Sequence, residues 1–422
     1  MGKLNSALTV WNKNFTFLFF SRLIKVSADS FAFYSILWFL IFSGKGALGT
    51  ALLIAVTFLP EALIAPVTGP LMKRSTLKFW MYFSDLTRAL IVLSIPISYF
   101  NGFSPMWFII GLMIIHSATG ATYNPASITL IPQIVHDDFM QKANAIIQSS
   151  SEIVKLGIVT LCGGLLTLIG PAPIMIISFT LYIISGILVL CIKYQADQPS
   201  TEHDNANQRG TYIAKLKRGF SLVRHHRILF PLAIYCIFMN LAAAPWEALS
   251  AIYVSEDLNG TPFTHSLLRA TTAIGAFTLG FILAKVKINR YGLLFITAGM
   301  IEGASYVITG LFTMLPLVFL AAFAFGAAVS AINVPEHTII QLSVDGDDQP
   351  QVFAVINMIG NLALPLGSVI CGYAAEAIGS GKVIAIGGLI QLIAGVGILL
   401  FTQLAKAQES DLIKEKNASA NL

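Results

Sequence analysis

Apolar runs of about 20 residues recur along almost the whole chain, and no other feature restricts its fold as strongly. A run of that length crosses the hydrocarbon core of a bilayer as a helix. Backbone polar groups must be paired inside that layer, so spanning segments form either helices or a closed barrel. Barrel strands alternate apolar and polar side chains, whereas the run from Val383 to Phe401 is apolar except for Gln391. The pattern therefore predicts an all-α polytopic membrane protein.

The composition excludes a soluble protein. Only 11% of the 422 residues are charged, whereas soluble domains carry about 25%. A chain with so few charges cannot cover its surface in water, so the lipid bilayer is its expected partner. The net charge of +5 comes from basic loops and indicates orientation in a membrane, so nucleic acid is not an expected partner.

Twelve transmembrane helices are predicted, in two sets of six separated by one long polar segment. The predicted domains are an N-terminal six-helix bundle at 1–193, a cytoplasmic linker at 194–227, and a C-terminal six-helix bundle with a cytoplasmic tail at 228–422. Within the linker, the basic amphipathic stretch 211–224 fits either a helix on the inner leaflet or the positive flank of the seventh span. The spans are expected at about 14–42, 47–71, 79–101, 106–131, 143–169, 173–193, 228–254, 264–286, 291–313, 316–342, 351–377 and 382–404.

In this topology, almost all lysine and arginine residues outside the spans lie on the same side of the membrane. If the N-terminus is cytoplasmic, Lys45 and Lys382 are the basic residues left in the outer loops. Because basic loops remain in the cytoplasm, both termini and the linker are predicted to lie on the inner side of the bacterial cytoplasmic membrane.

The two sets of helices match each other at an offset of about 210 residues. Pro125 corresponds to Pro335 in the fourth and tenth spans, and Asp29 corresponds to Asn240 in the first and seventh. A shared offset across several spans indicates duplication. Two six-helix repeats related by an axis along the membrane normal are the arrangement of one large transporter class.

Three stretches carry a resemblance to a known family: GPLMKRSTLK from Gly69 to Lys78, FSDLTRAL in the third span, and YNPASITLIPQIVHDDFMQKANAI after it. The first is similar to the loop motif G-x-L-A-D-R-x-x-R-K of the major facilitator superfamily. The second and third resemble the DLxRA and PA…LiP…ANA stretches of its branch of macrolide-efflux proteins and the enterobactin exporter. The resemblance covers nearly the whole chain and implies the major facilitator fold.

The resemblance also implies a cytoplasmic gate and a glycine-bearing fifth helix, and the chain departs from the family in both. The family's usual aspartate in the loop motif is Lys73 here, its second arginine is Leu77, and Gly157 lacks the proline that usually follows it. Because of these changes, the cytoplasmic gate is expected to rest instead on Asp85 and Arg88 of the third helix. The implied residues are Gly69, Arg74, Lys78, Asp85 and Arg88 for the gate, and Gly157 and Gly163 for the fifth helix.

Ionisable side chains inside spans are costly and indicate either function or fixed pairing. A carboxyl group can take up and release a proton as a site faces alternate sides, so Asp29, Glu61 and Glu302 are candidates for coupling to the proton gradient. The alternative for each is a structural ion pair or interhelical hydrogen bond. Glu336 is expected to meet lipid headgroups. The candidates for proton coupling and the substrate cavity are Asp29, Glu61, Glu302, Trp246, Glu247 and Arg269.

The sequence has no Walker loop, catalytic motif or metal-ligand spacing, so neither an enzyme nor a cofactor or metal is expected. The proton gradient is the expected energy source. On the family resemblance, the predicted function is secondary active export of an amphiphilic small molecule (a drug, toxic compound or siderophore) by proton antiport with alternating access, in a monomer. The alternatives are a nutrient or siderophore uptake permease of the same fold, and a non-coupled membrane sensor or scramblase.

Overall fold

The computed structural model describes residues 10–71, 76–136, 139–193, 217–344 and 348–407, and most of these residues are helical. The predicted all-α fold with two sets of six long helices is confirmed. The helices are α1 (Lys13–Phe42), α2 (Gly46–Leu71), α3 (Leu77–Phe100), α4 (Met106–Ile134), α5 (Met140–Ile169), α6 (Pro171–Cys191), α7 (Leu229–Glu256), α8 (Pro262–Leu283), α9 (Tyr291–Leu311), α10 (Leu315–Ser343), α11 (Gln349–Ile378) and α12 (Ser380–Phe401).

The length and composition of these helices suit a bilayer. Within the described residues, eleven helices are long and apolar enough to cross a membrane, and Gly46–Pro60 of α2 forms a shorter apolar helix. Large apolar side chains on them are strongly exposed, among them Leu168 at 80%, Phe277 at 76% and Phe401 at 87%. Exposure of such side chains is unfavourable in water. These faces of the helices therefore contact lipid.

The chain forms two compact units, and the packing of α1 and α3 in the first is repeated by α7 and α9 in the second. The first unit contains Met1–Lys45 and Val56–Gln208, and the second contains Gly46–Ala55 and Arg209–Leu422. In the first unit, α1 packs on α5 and α6, while α3 packs on α4 and α6. In the second, α7 packs on α11 and α12, while α9 packs on α10 and α12. The repeat predicted from the residue offset is thus present in the helix packing.

The turns before the last helix of each set are also equivalent. Gly170 ends α5 and caps α6 with φ 74°, and Gly379 ends α11 and caps α12 with φ 90°. Positive φ is strained for residues with a Cβ atom, whereas glycine adopts it at little cost. Two glycines therefore permit the same abrupt helix-to-helix turn in both repeats.

A seam of glycines joins α9 to α12 in the second unit. A Cβ atom built on Gly303 would lie 2.9 Å from the carbonyl oxygen of Gly388, and one built on Gly381 would lie 2.8 Å from that of Gly310. The two backbones therefore touch without intervening side chains. In lipid, where the hydrophobic effect does not drive helices together, such close van der Waals contact is a main source of association.

Because of this seam, two glycine substitutions in α12 should have very different effects on the thermal unfolding temperature. Gly388→Leu forces the backbones apart and should lower the thermal unfolding temperature in detergent, because overpacking of this kind typically costs about 1–3 kcal/mol. Gly397→Leu is the matched control, since a Cβ atom there meets nothing within 4 Å. If the two variants unfold at equal temperatures, close contact between α9 and α12 does not stabilise the protein.

The end of the predicted linker is attached to the second unit. Residues 217–225 are helical, and Val223 is buried in the same apolar cluster as Leu229 and Ile340. The Arg218 guanidinium donates to the Asp348 carboxylate just before α11, with Nη2–Oδ2 and Nε–Oδ1 distances of 2.8 Å. Phe220 remains 51% exposed. The first part of the predicted amphipathic stretch, 211–216, lies outside the described residues.

Candidate functional site

Asp29, whose side chain is 29% exposed, lies at the centre of an ionic network in the first unit. Its Oδ1 atom accepts hydrogen bonds from Arg88 Nη1 and Tyr182 Oη, each at 2.6 Å, and its Oδ2 atom lies 2.9 Å from Lys25 Nζ. Arg88 is 8% exposed and Lys25 is 7% exposed. One carboxylate therefore compensates two buried cations, which the membrane interior would otherwise make very unfavourable.

The surroundings of Arg88 hold it in one position. Its Nε atom donates to the carbonyl oxygen of His116 at 3.2 Å, and its guanidinium lies 5.6 Å from the centre of the Tyr182 ring. The His116 ring is 3.2 Å from the Tyr182 hydroxyl. A Cβ atom on Gly120 would come within 2.5 Å of Arg88 Nη2, so glycine there leaves room for the guanidinium. The sequence-based interpretation placed Arg88 in a cytoplasmic gate, and the structure brings it to Asp29.

Asp85, the acidic member of the predicted gate, is fully buried one helical turn from Arg88. Its Oδ2 atom accepts a hydrogen bond from Ser185 Oγ at 2.7 Å, and Ser185 Oγ also lies 3.1 Å from the carbonyl oxygen of Ser21. Its Oδ1 atom has no hydrogen-bond partner among the described residues. Asp85 thus joins α3 to α6 inside the first unit.

Lys78 has a capping role in the structure. Its Nζ atom donates to the carbonyl oxygens of Leu190 at 2.9 Å and Ile192 at 2.5 Å, at the C-terminal end of α6. Unpaired carbonyl groups and the negative end of the helix dipole favour a cation there. Lys78 therefore stabilises the packing of α3 on α6.

For the other predicted site residues of the first unit, the structure describes few contacts or none. Gly69 and Glu61 lie on α2, but their surroundings are not described, and Arg74 lies outside the described residues. Gly157 lies on α5 with open space around it, and Gly163 on the same helix accepts a hydrogen bond from Thr167 at 2.9 Å. No described contact brings these glycines to the Asp29 network.

In the second unit, three predicted residues come together near the C-terminal half of α7. Arg269 Nη1 and Nη2 donate to the two carboxylate oxygens of Glu247 at 2.9 and 3.1 Å, a bidentate pair. The guanidinium lies 5.9 Å from the centre of the Trp246 ring. Trp246 is 3% exposed and packs against Tyr306 and Phe325. The pair joins α7 to α8 and leaves little space for a ligand beside the indole.

A polar, partly open cavity of about 230 Å³ lies between α7, α9, α10 and α11 of the second unit. Glu302 and Glu336 line it together with three amide side chains, and the remaining lining is apolar or small. Among the described residues that line it, none is lysine, arginine or histidine. Its lining amides are Asn240, Asn333 and Asn357. Asn240 occupies the position equivalent to Asp29 in the repeat, so the second unit has an amide where the first has its paired carboxylate.

Glu302 has neutral partners, unlike Asp29. Tyr306 Oη donates to its Oε1 atom at 3.2 Å, and Gln391 Nε2 donates to its Oε2 atom at 2.7 Å. Glu302 is 7% exposed, and no cationic side chain of the described residues pairs with it. Gln391 also donates to the carbonyl oxygen of Gly299 at 2.8 Å, so the one polar side chain of the run from Val383 to Phe401 serves to orient this carboxyl group.

The interpretation of the sequence missed Glu336. Its position near the inner end of a span suggested contact with lipid headgroups, but its carboxyl group lines the cavity, with Cys236 Sγ 3.9 Å from Oε1. A signal was available: Glu336 follows the helix-internal Pro335 and lies three residues after Asn333, so both polar side chains share one face of α10.

Residues 18–368 match the Major Facilitator Superfamily. The chain belongs to this superfamily. The family resemblance of the loop and helix motifs is thereby confirmed, and the protein is a multi-pass membrane transporter.

This major facilitator protein is similar in sequence to several bacterial transporters, one of them highly similar. A Bacillus subtilis (strain 168) protein described as "Uncharacterized MFS-type transporter YvqJ" is 69% identical over 414 residues, 98% of each chain. Macrolide efflux protein A of Streptococcus pyogenes is 23% identical over 378 residues, 87% of this chain and 91% of that protein. Among solved structures, the peptide transporter POT in complex with sulfate is similar with a TM-score of 0.72, covering 96% of this chain and 99% of that chain. At 10% identity, the last comparison shows the shared fold alone.

Proposed function

We propose that this major facilitator protein is a secondary active exporter that moves an amphiphilic small molecule across the membrane in exchange for protons. One observation carries the proposal: a buried carboxyl group, Glu302, lines a polar cavity, and its hydrogen-bond partners among the described residues are all neutral. The name of the Streptococcus pyogenes relative, a macrolide efflux protein, supports export as the direction.

In this mechanism, Glu302 is the residue that takes up and releases the proton. No fixed positive charge among the described residues holds it ionised, so either protonation state can be accommodated by the hydroxyl and amide groups beside it. Asp29 has a different part. Two buried cations compensate it, so loss of its charge would be costly, and we assign it to the stability of the first unit.

The rest of the proposal follows from the chain's charge distribution and repeat. The basic loops support a cytoplasmic position for both termini. The two units alternate between inward-open and outward-open states, and one chain is the transporting unit. Protons that enter down their gradient drive the substrate outwards, with no nucleotide consumed.

The test uses everted membrane vesicles that contain the protein and a panel of labelled amphiphiles, including a macrolide. With a proton gradient imposed, at least one compound should accumulate inside the vesicles and be lost when an uncoupler is added. Uptake into intact cells instead would identify a permease. Movement that ignores the gradient would identify a non-coupled protein, and either result would overturn the proposal.

A further inference from the structure

We propose that the cavity of the second unit is a recognition site for an organic cation, in which Glu336 binds a protonated amine. This inference rests on the proposed export function and adds the chemical class of the substrate.

The cavity lining contains two carboxyl groups, those of Glu302 and Glu336, and no basic side chain among the described lining residues balances them. A carboxylate that is partly withdrawn from water, as Glu336 is, is stabilised by a nearby cation or by hydrogen bonds. Glu302 has such hydrogen bonds from Tyr306 and Gln391, whereas the polar neighbour of Glu336 is a thiol, Cys236, at 3.9 Å. Glu336 is therefore the carboxylate that a bound cation would complete.

Three amide side chains provide hydrogen-bonding capacity in the same cavity as Glu336. Asn333 and Asn357 have exposed side chains and make no hydrogen bond to another described residue. Their amides can accept from an ammonium group or bind a neighbouring hydroxyl. The third amide, Asn240, donates to the carbonyl oxygen of Cys236 at 2.9 Å and leaves its own oxygen for a donor. One carboxylate with several amide oxygens suits an ammonium group that has more than one N–H bond.

The rest of the cavity wall is mainly apolar, and the cavity is small. Met239, Ile332 and Ile356 supply apolar wall, which suits the carbon skeleton attached to an amine. Pockets for drug-sized ligands measure about 300–1,000 Å³, so about 230 Å³ fits the amine-bearing end of an amphiphile. A metal ion suits the site less well. Calcium takes six to eight oxygen ligands, and the described residues contain no group of three or more carboxylate, histidine or cysteine side chains able to hold a metal.

The experiment measures binding of three probes with the same apolar group to the full-length protein in lipid nanodiscs. The probes are phenylpropylamine, phenylpropanol and phenylpropanoate, and isothermal titration calorimetry gives each Kd. We expect the amine to bind at least about tenfold more tightly than the alcohol, which corresponds to one charge-assisted contact. Glu336→Gln should abolish that preference, and Glu336→Asp should retain part of it. Glu376→Gln, at the other end of α11 and outside the cavity lining, should bind like the wild type.

Several results would overturn the cation site. These are equal affinities for the three probes, tightest binding of the carboxylate, no binding of the amine at millimolar concentration, or an amine preference unchanged in Glu336→Gln. Unfolding temperatures of the variants show whether a loss of binding reflects loss of fold.

Failure of this inference is distinguishable from failure of the proposed function, because the binding measurement needs no gradient. If amine binding depends on Glu336 but no compound accumulates in energised vesicles, the export proposal fails and the site stands. If a compound accumulates and neither its charge nor Glu336 matters for binding, the cation site fails and export stands.

Discussion

Asp29→Asn should destabilise the protein by up to about 3–5 kcal/mol, the usual cost of removing one partner from a buried ion pair. This is an upper value because the two cations are buried but the Asp29 side chain is 29% exposed. The substitution keeps the size of the side chain but leaves Arg88 and Lys25 as buried cations without their shared anion. The hydrogen bond from Tyr182 would be weakened as well. The measurement is thermal or denaturant-induced unfolding of the purified protein in detergent, with the amount of folded protein in the membrane as a second readout.

Two further variants make this prediction specific. Glu152→Gln removes a carboxylate on α5 that is exposed and accepts from Gln148 at 3.4 Å, so its unfolding should match that of the wild type. Asp29→Leu combined with Arg88→Met should be less damaging than Asp29→Asn, because it removes a cation together with its anion. If Asp29→Asn unfolds like the wild type, the network does not stabilise the first unit.

Glu302→Gln should reduce proton-driven accumulation in everted vesicles to the level seen with an uncoupler. Glutamine keeps the shape of the side chain and can still hydrogen-bond to Tyr306 and Gln391, but it cannot take up a proton. Exchange of labelled for unlabelled substrate across the membrane needs no net proton movement, so we expect it to persist. This pairing of results separates loss of coupling from loss of fold.

The control for this prediction is Glu376→Gln, which removes an exposed carboxyl group on α11 that does not line the cavity. Its accumulation should equal that of the wild type. Two results would contradict the assignment of Glu302 as the proton-binding residue. One is accumulation by Glu302→Gln at the wild-type level, and the other is loss of both exchange and accumulation.

Much of the fold could be predicted because membrane insertion depends on local sequence. The run from Val383 to Phe401 is apolar enough to identify a span without knowledge of any neighbour, and α12 covers it. The repeat was detectable for the same reason. Pro125 and Pro335 lie inside equivalent helices, and each affects the backbone of its own helix whatever packs against it.

The candidate site was predicted only in part. Glu302 could be selected because any carboxyl group in the middle of a span is unusual. Glu336 was assigned to the headgroups from its depth along α10, but depth does not say whether a side chain faces lipid, another helix or a cavity. Its shared helix face with Asn333 was the one signal to the contrary. The pairing of Glu247 with Arg269 was also beyond the sequence, since it depends on how α7 and α8 are rotated about their axes.

The sequence by itself determined that this chain is a twelve-helix membrane protein in two repeats, and which few ionisable side chains lie within its spans. These properties depend on the free energy of moving each segment from water to lipid, which is a sum over neighbouring residues. The tertiary structure decided which of those charges are compensated. Asp29 meets Arg88 from 59 residues away and Tyr182 from 153 residues away, whereas Glu302 meets neutral groups. The interaction energy of a buried charge falls with distance and depends on its partner, so it follows from helix packing and not from residue order.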